Sequence, residues 1–341
     1  MKTVRKNNMK ILITAPYTDK AQKILEEHLG EIVYLPWKPH GRAYNEDELI
    51  EMLDDTKADA LITEHDQVTK KVIEAFSHLK FIGVCRGTPS NVSITTATKV
   101  GIPVFFTPAR NAQAVAEMFV ANVITFMRNT IAGWQWLKGE NWGEGAHTSY
   151  LQFKGNELAG KTVGMVGFGA VGQRIANMIK GFPCDIQFFD PYTESPDPEY
   201  KKTTLENIFS TSDIVSIHLP VNKQTEGMID KTLISKMKRD ALFVNTARAI
   251  VVKREDLLDA LENNKIRGAI LDVFDNEPPD AIDYRIIHLP NVLATPHIAG
   301  ATFEVEDHHA DIMNQSLLDW FVSDKKDIKQ LVNKSVLEVK V

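Results

Sequence analysis

The chain has 341 residues, a hydrophobic content of 43% and a formal net charge of −6 at pH 7. This length allows two domains with substantial cores, and the composition suggests neither disorder nor a membrane protein. Because charged residues of one sign form no long block, we expect small-molecule partners and no nucleic-acid or membrane partner. The only cysteines are Cys85 and Cys184, which favours a reducing, cytoplasmic compartment and offers no metal-ligand spacing.

The N-terminal part of the chain alternates short apolar runs with amphipathic segments. Residues 1–8 are basic but precede a strand-length apolar run, so we interpret them as an extension and not as a signal peptide. The pattern predicts strands at 10–15, 32–35, 60–63, 81–84 and 102–106, and helices at 19–29, 46–53 and 70–76. Parallel strands joined by helices predict a flavodoxin-like α/β domain. Arg86 and Gly87 follow a strand, where open sheets bind ligands, and Arg86 is either an anion contact or a solvated loop arginine.

A long apolar segment follows at residues 112–131, and its spacing predicts one helix. Val120 and Ile124 make this helix apolar on the face opposite its main apolar stripe. A helix that is apolar all round must be buried, either in the core of its own domain or at a subunit interface. The glycine-bearing segment that follows either continues such an interface or packs within the chain; it contains Trp134, Trp136 and Trp142.

The most informative stretch is residues 163–172. A short apolar run reaches Gly167, and Gly169 and Gly172 complete a G-x-G-x-x-G pattern that opens a predicted helix. A strand, a glycine turn and a helix in this order let the backbone approach a pyrophosphate and direct the N–H groups of the helix N-terminus towards it. The next apolar run ends at Asp190, where a carboxylate would bind ribose hydroxyls and repel the 2′-phosphate of NADP. The sequence therefore predicts a dinucleotide site that prefers NAD.

The remainder of the chain repeats the strand and helix alternation. Strands are predicted at 163–166, 186–189, 214–219, 242–245, 269–273 and 292–294, and helices at 205–209 and 254–262. This order predicts a Rossmann domain, which is a doubly wound parallel sheet. An amphipathic helix at 307–320 and a charged tail with one short apolar run end the sequence. We therefore expect an α/β protein of two domains: a substrate domain at 1–110 with 305–341 packing back on it, and an NAD-binding Rossmann domain at 111–304.

Three polar residues lie just past predicted strands of the Rossmann domain, at the edge where a nicotinamide would lie. Arg248 has the planar fork that binds a carboxylate with two hydrogen bonds. His297 carries the side chain whose ordinary pKa lies nearest neutrality, so it can donate a proton in reduction and accept one in oxidation. Glu277 would stabilise the imidazolium and orient its ring. Each residue alone has a structural explanation, but the three together, downstream of a glycine fingerprint, indicate reduction of a 2-keto acid.

These motifs together resemble the D-isomer-specific 2-hydroxyacid dehydrogenases, in the branch of phosphoglycerate and hydroxypyruvate reductases, without the additional regulatory domain. The resemblance implies that Arg248, Glu277 and His297 are catalytic, and that Arg86 and Gly87 join Arg248 and His297 in receiving the substrate. It also implies that Asn111 lies near the nicotinamide, that Asp272 meets its carboxamide, and that the protein is a homodimer built around the helix at 112–131. The expected cofactor-binding residues are Gly167, Gly169, Ala170, Val171, Gly172, Asp190, His218, Leu219, Pro220, Thr225, Thr246, Ala247, Asp272, Gly300 and Asn111.

The sequence departs from this family at a few loop positions and leaves two other functions to consider. Ala109 and Ala249 stand where the family usually has glycine, which leaves the geometry around the substrate open. A formate-type dehydrogenase is disfavoured by Glu277, because those relatives place glutamine there. An NAD-sensing protein-binding module of the corepressor type is disfavoured by the intact catalytic residues. We expect an oxidoreductase that interconverts a small 2-keto acid and its D-2-hydroxy acid.

Overall fold

The computed structural model describes residues 8–143, 145 and 147–338. The predicted N-terminal extension lies outside these residues, apart from Asn8. Contacts within the chain divide it into two units, which we call unit 1 and unit 2. Unit 1 contains the described residues up to Asn111 and those from Thr302 onward, and unit 2 runs from Ala112 to Ala301. The boundaries predicted from the sequence placed Asn111 and residues 302–304 in the second domain, whereas the contacts place them in unit 1.

Unit 1 is built on a five-stranded parallel sheet with the order β2-β1-β3-β4-β5. Strand β1 pairs on both sides, with Ile11 opposite Ile32 of β2 and opposite Ala60 of β3. Its N-terminal elements are β1 (Met9–Ile13), α1 (Asp19–His28), β2 (Gly30–Tyr34), a 3-10 turn (Lys38–His40), α2 (Glu46–Thr56), β3 (Ala60–Thr63), α3 (Lys70–Ala75), β4 (Ile82–Val84), α4 (Ile94–Lys99) and β5 (Val104–Phe106).

Local sequence signals define the helices of unit 1. Helix α1 begins where the side chain of Thr18 accepts a hydrogen bond from the Ala21 N–H group, and it buries Leu25 against the sheet. Helix α2 begins with a capping box, in which Asn45 and Glu48 each accept a hydrogen bond from the backbone N–H group of the other. These caps explain why the predicted helix starts at 19 and 46 coincide with the observed ones.

Unit 2 is built on a seven-stranded sheet with the order β12-β11-β10-β9-β6-β7-β8, in which every pairing is parallel. The carboxyl ends of all its strands therefore meet at one edge. Its elements are α5 (Ala112–Met127), α6 (Thr130–Lys138), α7 (His147–Gln152), β6 (Thr162–Val166), α8 (Ala170–Ile179), β7 (Asp185–Phe189), β8 (Tyr200–Lys202), α9 (Leu205–Thr211), β9 (Ile214–Ile217), α10 (Lys231–Ile234), β10 (Leu242–Asn245), a 3-10 turn (Ala249–Val251), α11 (Arg254–Glu262), β11 (Gly268–Leu271), α12 (Ala281–Ile287) and β12 (Val292–Ala294).

The prediction of one helix over 112–131 is wrong. Helix α5 ends at Met127, and Asn129 adopts a left-handed conformation with φ of 53° before α6 begins at Thr130. Asparagine tolerates this conformation better than most residues, so it allows the break. Helix α5 buries Phe119 and Val123 in the core of unit 2, whereas Val120 and Ile124 are only half-buried.

The C-terminal segment returns to unit 1 through α13 (Glu304–Phe321) and a 3-10 helix (Lys334–Glu338). Met313 and Leu317 of α13 belong to the same apolar cluster as β1. In the segment predicted as a charged tail with one short apolar run, Leu331 is buried and pairs with Phe105 in an antiparallel bridge. Among the residues that the structure describes, none of the helices combines the length and apolarity that a membrane crossing requires.

Candidate active site

The glycine turn lies at the carboxyl end of β6, an inner strand of the sheet of unit 2 that pairs with β9 and β7. Gly167 has φ of +92°, and a Cβ atom there would lie 2.6 Å from the carbonyl oxygen of His218. A Cβ atom at Gly172 would lie 2.8 Å from the carbonyl oxygen of Gly167, whereas one at Gly169 would meet open space. The fold therefore requires glycine at two of these positions and leaves room for a ligand at the third. Ala170 and Val171 begin α8, so their N–H groups face this space.

Asp190 lies at the end of β7, beside this turn. Its Oδ2 accepts a hydrogen bond of 2.8 Å from the Phe168 N–H group, and its Oδ1 accepts bonds of 2.8 Å and 2.9 Å from Tyr192 and Thr193. Partial burial pushes the pKa of Asp190 upward, but these backbone hydrogen bonds outweigh it and hold the pKa below its usual value. The carboxylate is therefore ionised and fixed beside the glycine turn.

The next strand ends place further polar atoms at the same edge. His218 follows β9, and its Nε2 is buried without a hydrogen-bond partner among the described residues; burial lowers the pKa of this imidazole to about 4. Thr246 follows β10, and its buried Oγ1 is likewise unpaired within the described chain. Buried polar atoms without partners are costly, so such atoms at a ligand edge indicate groups that a ligand satisfies. These atoms and the open space at Gly169 fit a bound dinucleotide.

Leu219 and Pro220 begin the loop after β9, and Thr225 closes it by donating a hydrogen bond of 2.6 Å to the Pro220 carbonyl oxygen. Gly300 lies in a turn that is closed by a 2.9 Å hydrogen bond from the Ala301 N–H group to the Ile298 carbonyl oxygen.

The loop after β10 presents Arg248 to solvent. Asn245, which is almost fully buried, fixes this loop: its Nδ2 donates to the Arg248 carbonyl oxygen at 3.0 Å, and its Oδ1 accepts from the Ala247 N–H group at 3.0 Å. The guanidinium donates through Nη1 to the Ala247 carbonyl oxygen at 2.6 Å. An exposed guanidinium on an anchored loop suits the binding of an anion.

His297 and Glu277 form a close pair. Glu277 lies in the loop after β11, and His297 lies in the loop after β12, the next strand of the sheet. The Nδ1 atom of His297 lies 2.9 Å from Oε1 and 2.8 Å from Oε2 of Glu277. Because a carboxylate only accepts hydrogen bonds, Nδ1 carries the proton, and Nε2 is the ring atom that is able to exchange one. A cavity of about 390 Å³ adjoins the pair, with mostly apolar walls that include Phe274, Tyr284 and Ile287.

Asp272 supports the loop that carries His297. Its Oδ1 accepts hydrogen bonds from the Thr295 hydroxyl at 2.7 Å and the Ile298 N–H group at 2.8 Å, and its Oδ2 accepts one from Ala299 at 2.8 Å. His297 itself has φ of 53°, which is unfavourable for a residue other than glycine. The buried carboxylate therefore holds a strained loop, a role that the sequence did not indicate.

The remaining predicted residues belong to unit 1. Arg86 and Gly87 follow β4, with Arg86 half-buried and Gly87 exposed. Asn111 is the last residue of this unit before α5. Ala109, two residues earlier, has φ of 62°, which explains why glycine suits this position. Among the described residues, no group of three or more histidine, cysteine or acidic side chains could hold a metal ion.

A dinucleotide-binding α/β protein is defined by three features of this site: parallel strands, a glycine turn after the inner strand β6, and a fixed acid after the neighbouring strand β7. Comparison with known proteins makes this class more specific. Residues 120–299 match the family described as "D-isomer specific 2-hydroxyacid dehydrogenase, NAD binding domain". The chain is 55% identical over 331 residues to "Putative 2-hydroxyacid dehydrogenase YoaD" of Bacillus subtilis strain 168, a match that covers 97% of this chain and 96% of that protein.

Two further similarities agree with this match. The chain is 32% identical over 314 residues to D-3-phosphoglycerate dehydrogenase of Methanocaldococcus jannaschii, covering 91% of this chain and 57% of that protein. The structure of the acyclic imino acid reductase Bsp5, solved with NADPH and D-Arg, gives a TM-score of 0.75 at 26% identity and covers 95% of this chain and 99% of that chain. The protein belongs to the D-isomer-specific 2-hydroxyacid dehydrogenases. The predicted family, two-sheet α/β fold, NAD cofactor and oxidoreductase class are confirmed.

Proposed function

We propose that this protein interconverts a small 2-keto acid and its D-2-hydroxy acid, with His297 as the general acid and base. The observation that carries this proposal is the contact between Nδ1 of His297 and both carboxylate oxygens of Glu277. It leaves Nε2 as the exchangeable position of an imidazole whose orientation is fixed. An orienting acid behind a histidine is the arrangement that proton transfer to a carbonyl oxygen needs.

The chemistry divides between the cofactor and the residues of unit 2. The nicotinamide cofactor that unit 2 would hold would supply a hydride as NADH in reduction and accept one as NAD⁺ in oxidation. Nε2 of His297 donates a proton to the oxygen on C2 in reduction and takes it back in oxidation, while Glu277 stabilises the imidazolium. Arg248 binds the substrate carboxylate with the fork of its guanidinium and polarises the adjacent carbonyl.

The other residue assignments extend this proposal. Asp190 selects NAD over NADP, because its ionised carboxylate would repel a 2′-phosphate. Asn111 and Asp272 contact the nicotinamide end of the cofactor, in addition to the support that Asp272 gives to its own loop. Arg86 and Gly87 contribute to binding the substrate carboxylate. We assign most of the cofactor binding to unit 2, and we give unit 1 a part in substrate recognition alongside Arg248 and His297. The free thiols of Cys85 and Cys184 support a cytoplasmic location.

We also propose that two copies of the chain form a homodimer. Four large apolar side chains on α6 and α7, Trp134, Leu137, Tyr150 and Leu151, are each more than half exposed. Exposed large apolar side chains on two successive helices of the chain are typical of an interaction surface. Replacing Trp134 and Leu151 together by glutamate is expected to yield monomers in size-exclusion chromatography with light scattering. The matched control, Leu35→Glu at another exposed apolar position, is expected to stay dimeric, and a wild-type monomer would refute the proposal.

The proposed reaction is tested by the loss of NADH absorbance with a panel of 2-keto acids. The panel contains glyoxylate, pyruvate, hydroxypyruvate, phosphohydroxypyruvate and branched 2-keto acids. We expect turnover of at least one acid and a product of the D configuration by chiral chromatography. Tight NADH binding without turnover of any acid would favour an NAD-sensing module and refute the proposed reaction.

A further inference from the structure

The carboxyl edge of the sheet in unit 1 brings several charged side chains together. Glu64 and His65 follow β3, Arg86 follows β4 and Arg110 follows β5, and these three strands are adjacent in the sheet. Burial lowers the pKa of His65, and the positive charges of Arg86 and Arg110 lower it further against the opposing effect of Glu64. The four side chains are therefore within electrostatic reach of one another, at the edge where open α/β sheets bind ligands.

Arg110 is held in place by a single nitrogen of its guanidinium. Its Nη1 donates to Oε1 of Glu64 at 2.7 Å and to Nδ1 of His309 at 3.0 Å. The Nε2 atom of His309 lies 2.7 Å from the Pro16 carbonyl oxygen, so Nε2 carries the proton and Nδ1 accepts. Burial lowers the pKa of His309, which keeps this imidazole neutral and able to accept the bond. Both hydrogens of Nη1 are therefore committed.

The opposite edge of the same guanidinium has no partner in the described part of the chain. All hydrogen bonds and ion pairs of the Arg110 side chain there come from Nη1, which leaves Nε and Nη2 unpaired. The side chain is 18% exposed, and neither nitrogen is among the fully buried unpaired atoms, so solvent reaches this edge. The parallel N–H bonds of Nε and Nη2 match the oxygens of a carboxylate or a phosphate.

The ion pair between Arg110 and a buried carboxylate adds little net stability to the fold, because the desolvation penalty offsets most of the attraction. Glu64 is only 7% exposed, and its Oε2 also accepts a hydrogen bond of 3.2 Å from Nε1 of Trp37, which fixes the carboxylate. The arrangement therefore anchors a guanidinium whose binding edge stays unused. Such an anchored, accessible fork is what recognition of an anionic group requires.

We propose that Arg110 is a specificity-determining residue that binds a second oxyanion, a carboxylate or a phosphate, at the far end of the 2-keto acid. The inference rests on the proposed function, since it names a further group of the same substrate. Glu64 and His309 are positioning residues that act through Arg110. Through Arg110, this enzyme is expected to prefer 2-keto acids that carry a distal negative charge over neutral acids of the same length.

The test compares matched substrate pairs by steady-state loss of NADH absorbance. Oxaloacetate against 2-ketobutyrate tests a distal carboxylate, and phosphohydroxypyruvate against hydroxypyruvate tests a distal phosphate. We expect the wild type to favour the anionic member of one pair at least about tenfold in kcat/KM. Arg110→Met is expected to lower kcat/KM for that member by at least about 100-fold, the loss typical of two charged hydrogen bonds, and for its neutral partner by less than about threefold.

Further variants separate binding from folding. Arg110→Met leaves the Glu64 carboxylate without its ion-pair partner, so the double variant Glu64→Gln/Arg110→Met removes both charges and is expected to give the same selective loss in a folded protein. Arg110→Lys, which keeps the charge and lacks the fork, should recover part of the preference. Arg42→Met removes an exposed arginine from another ion pair of unit 1 and should leave both pairs unchanged.

The outcomes distinguish the inference from the proposed function. Equal losses for both members of a pair, in the single and the double variant, would make Arg110 a structural residue and overturn the inference. A wild type that reduces 2-keto acids without preferring either anionic member would also overturn it while leaving the proposed function intact. A wild type that reduces no 2-keto acid would refute both.

Discussion

Replacing Asp272 by asparagine should loosen the loop that carries His297. The carboxylate accepts the Thr295 hydroxyl and the Ile298 N–H group at Oδ1, and the Ala299 N–H group at Oδ2. An amide has one oxygen, so its NH₂ group must face a backbone N–H group of either Ile298 or Ala299. Because Asp272 is 1% exposed, water cannot replace the lost acceptor.

The magnitude follows from these bonds. One unpaired buried donor costs about 1–3 kcal/mol, and weaker bonds from the remaining donors to a neutral oxygen bring the expected loss of unfolding free energy to about 2–4 kcal/mol. Displacement of His297 should also lower kcat by about 10-fold to 100-fold. Urea unfolding followed by circular dichroism measures the first effect, and NADH oxidation measures the second.

The exposed Asp185 provides the control, since Asp185→Asn removes the same charge from the same unit and should change neither quantity. If Asp272→Asn unfolds at the wild-type urea concentration and keeps the wild-type kcat, Asp272 does not support the loop.

Three further predictions use other residues. Asp190→Ser should lower the NAD over NADP ratio of kcat/KM by about 10-fold or more through loss of charge repulsion; an unchanged ratio would contradict the role of Asp190. Ala109→Gly should raise the unfolding free energy by up to about 1 kcal/mol, because φ of 62° favours glycine, and a decrease in chemical denaturation would argue against strain there. Burial lowers the pKa of His218 from 6.5 to about 4, so the unfolded chain takes up this proton first as the pH falls, and about 3 kcal/mol of stability present above pH 6.5 is lost by pH 4. His218→Leu should remove that part of the pH dependence, and an identical profile in the variant would show that His218 does not cause it.

The sheets could be predicted from the sequence because their strands are short apolar runs and their helices carry amphipathic periodicity. The break after α5 was missed although Arg128, Asn129 and Thr130 interrupt the apolar spacing there, because polar residues also occur on the exposed face of a continuous helix. The left-handed turn itself depends on the backbone of Asn129. Strand β8 and helix α12 were missed because their apolar signal is weak: β8 buries only Tyr200 beside two exposed lysines, and α12 buries only Asp283 and Ile286.

The features of the site also fall into two groups, those that the sequence predicts and those that only the folded chain reveals. The positions of Gly167, Arg248 and His297 follow from the ends of predicted strands, since parallel strands end at one edge. The hydrogen bonds of Asp272 to its loop, and the contact of Arg110 with His309, depend on tertiary structure. Arg110 and His309 are 199 residues apart, and no local pattern links them.

The most direct test of the central claim compares His297→Ala with the wild type on the best substrate of the panel. Loss of proton transfer is expected to reduce kcat for the 2-keto acid by at least about 100-fold, while the Kd for NADH, measured by fluorescence, stays within about threefold. His288→Ala, which removes another exposed histidine from unit 2, should keep wild-type values of both. Wild-type turnover in His297→Ala would contradict the assignment of His297 as the general acid and base.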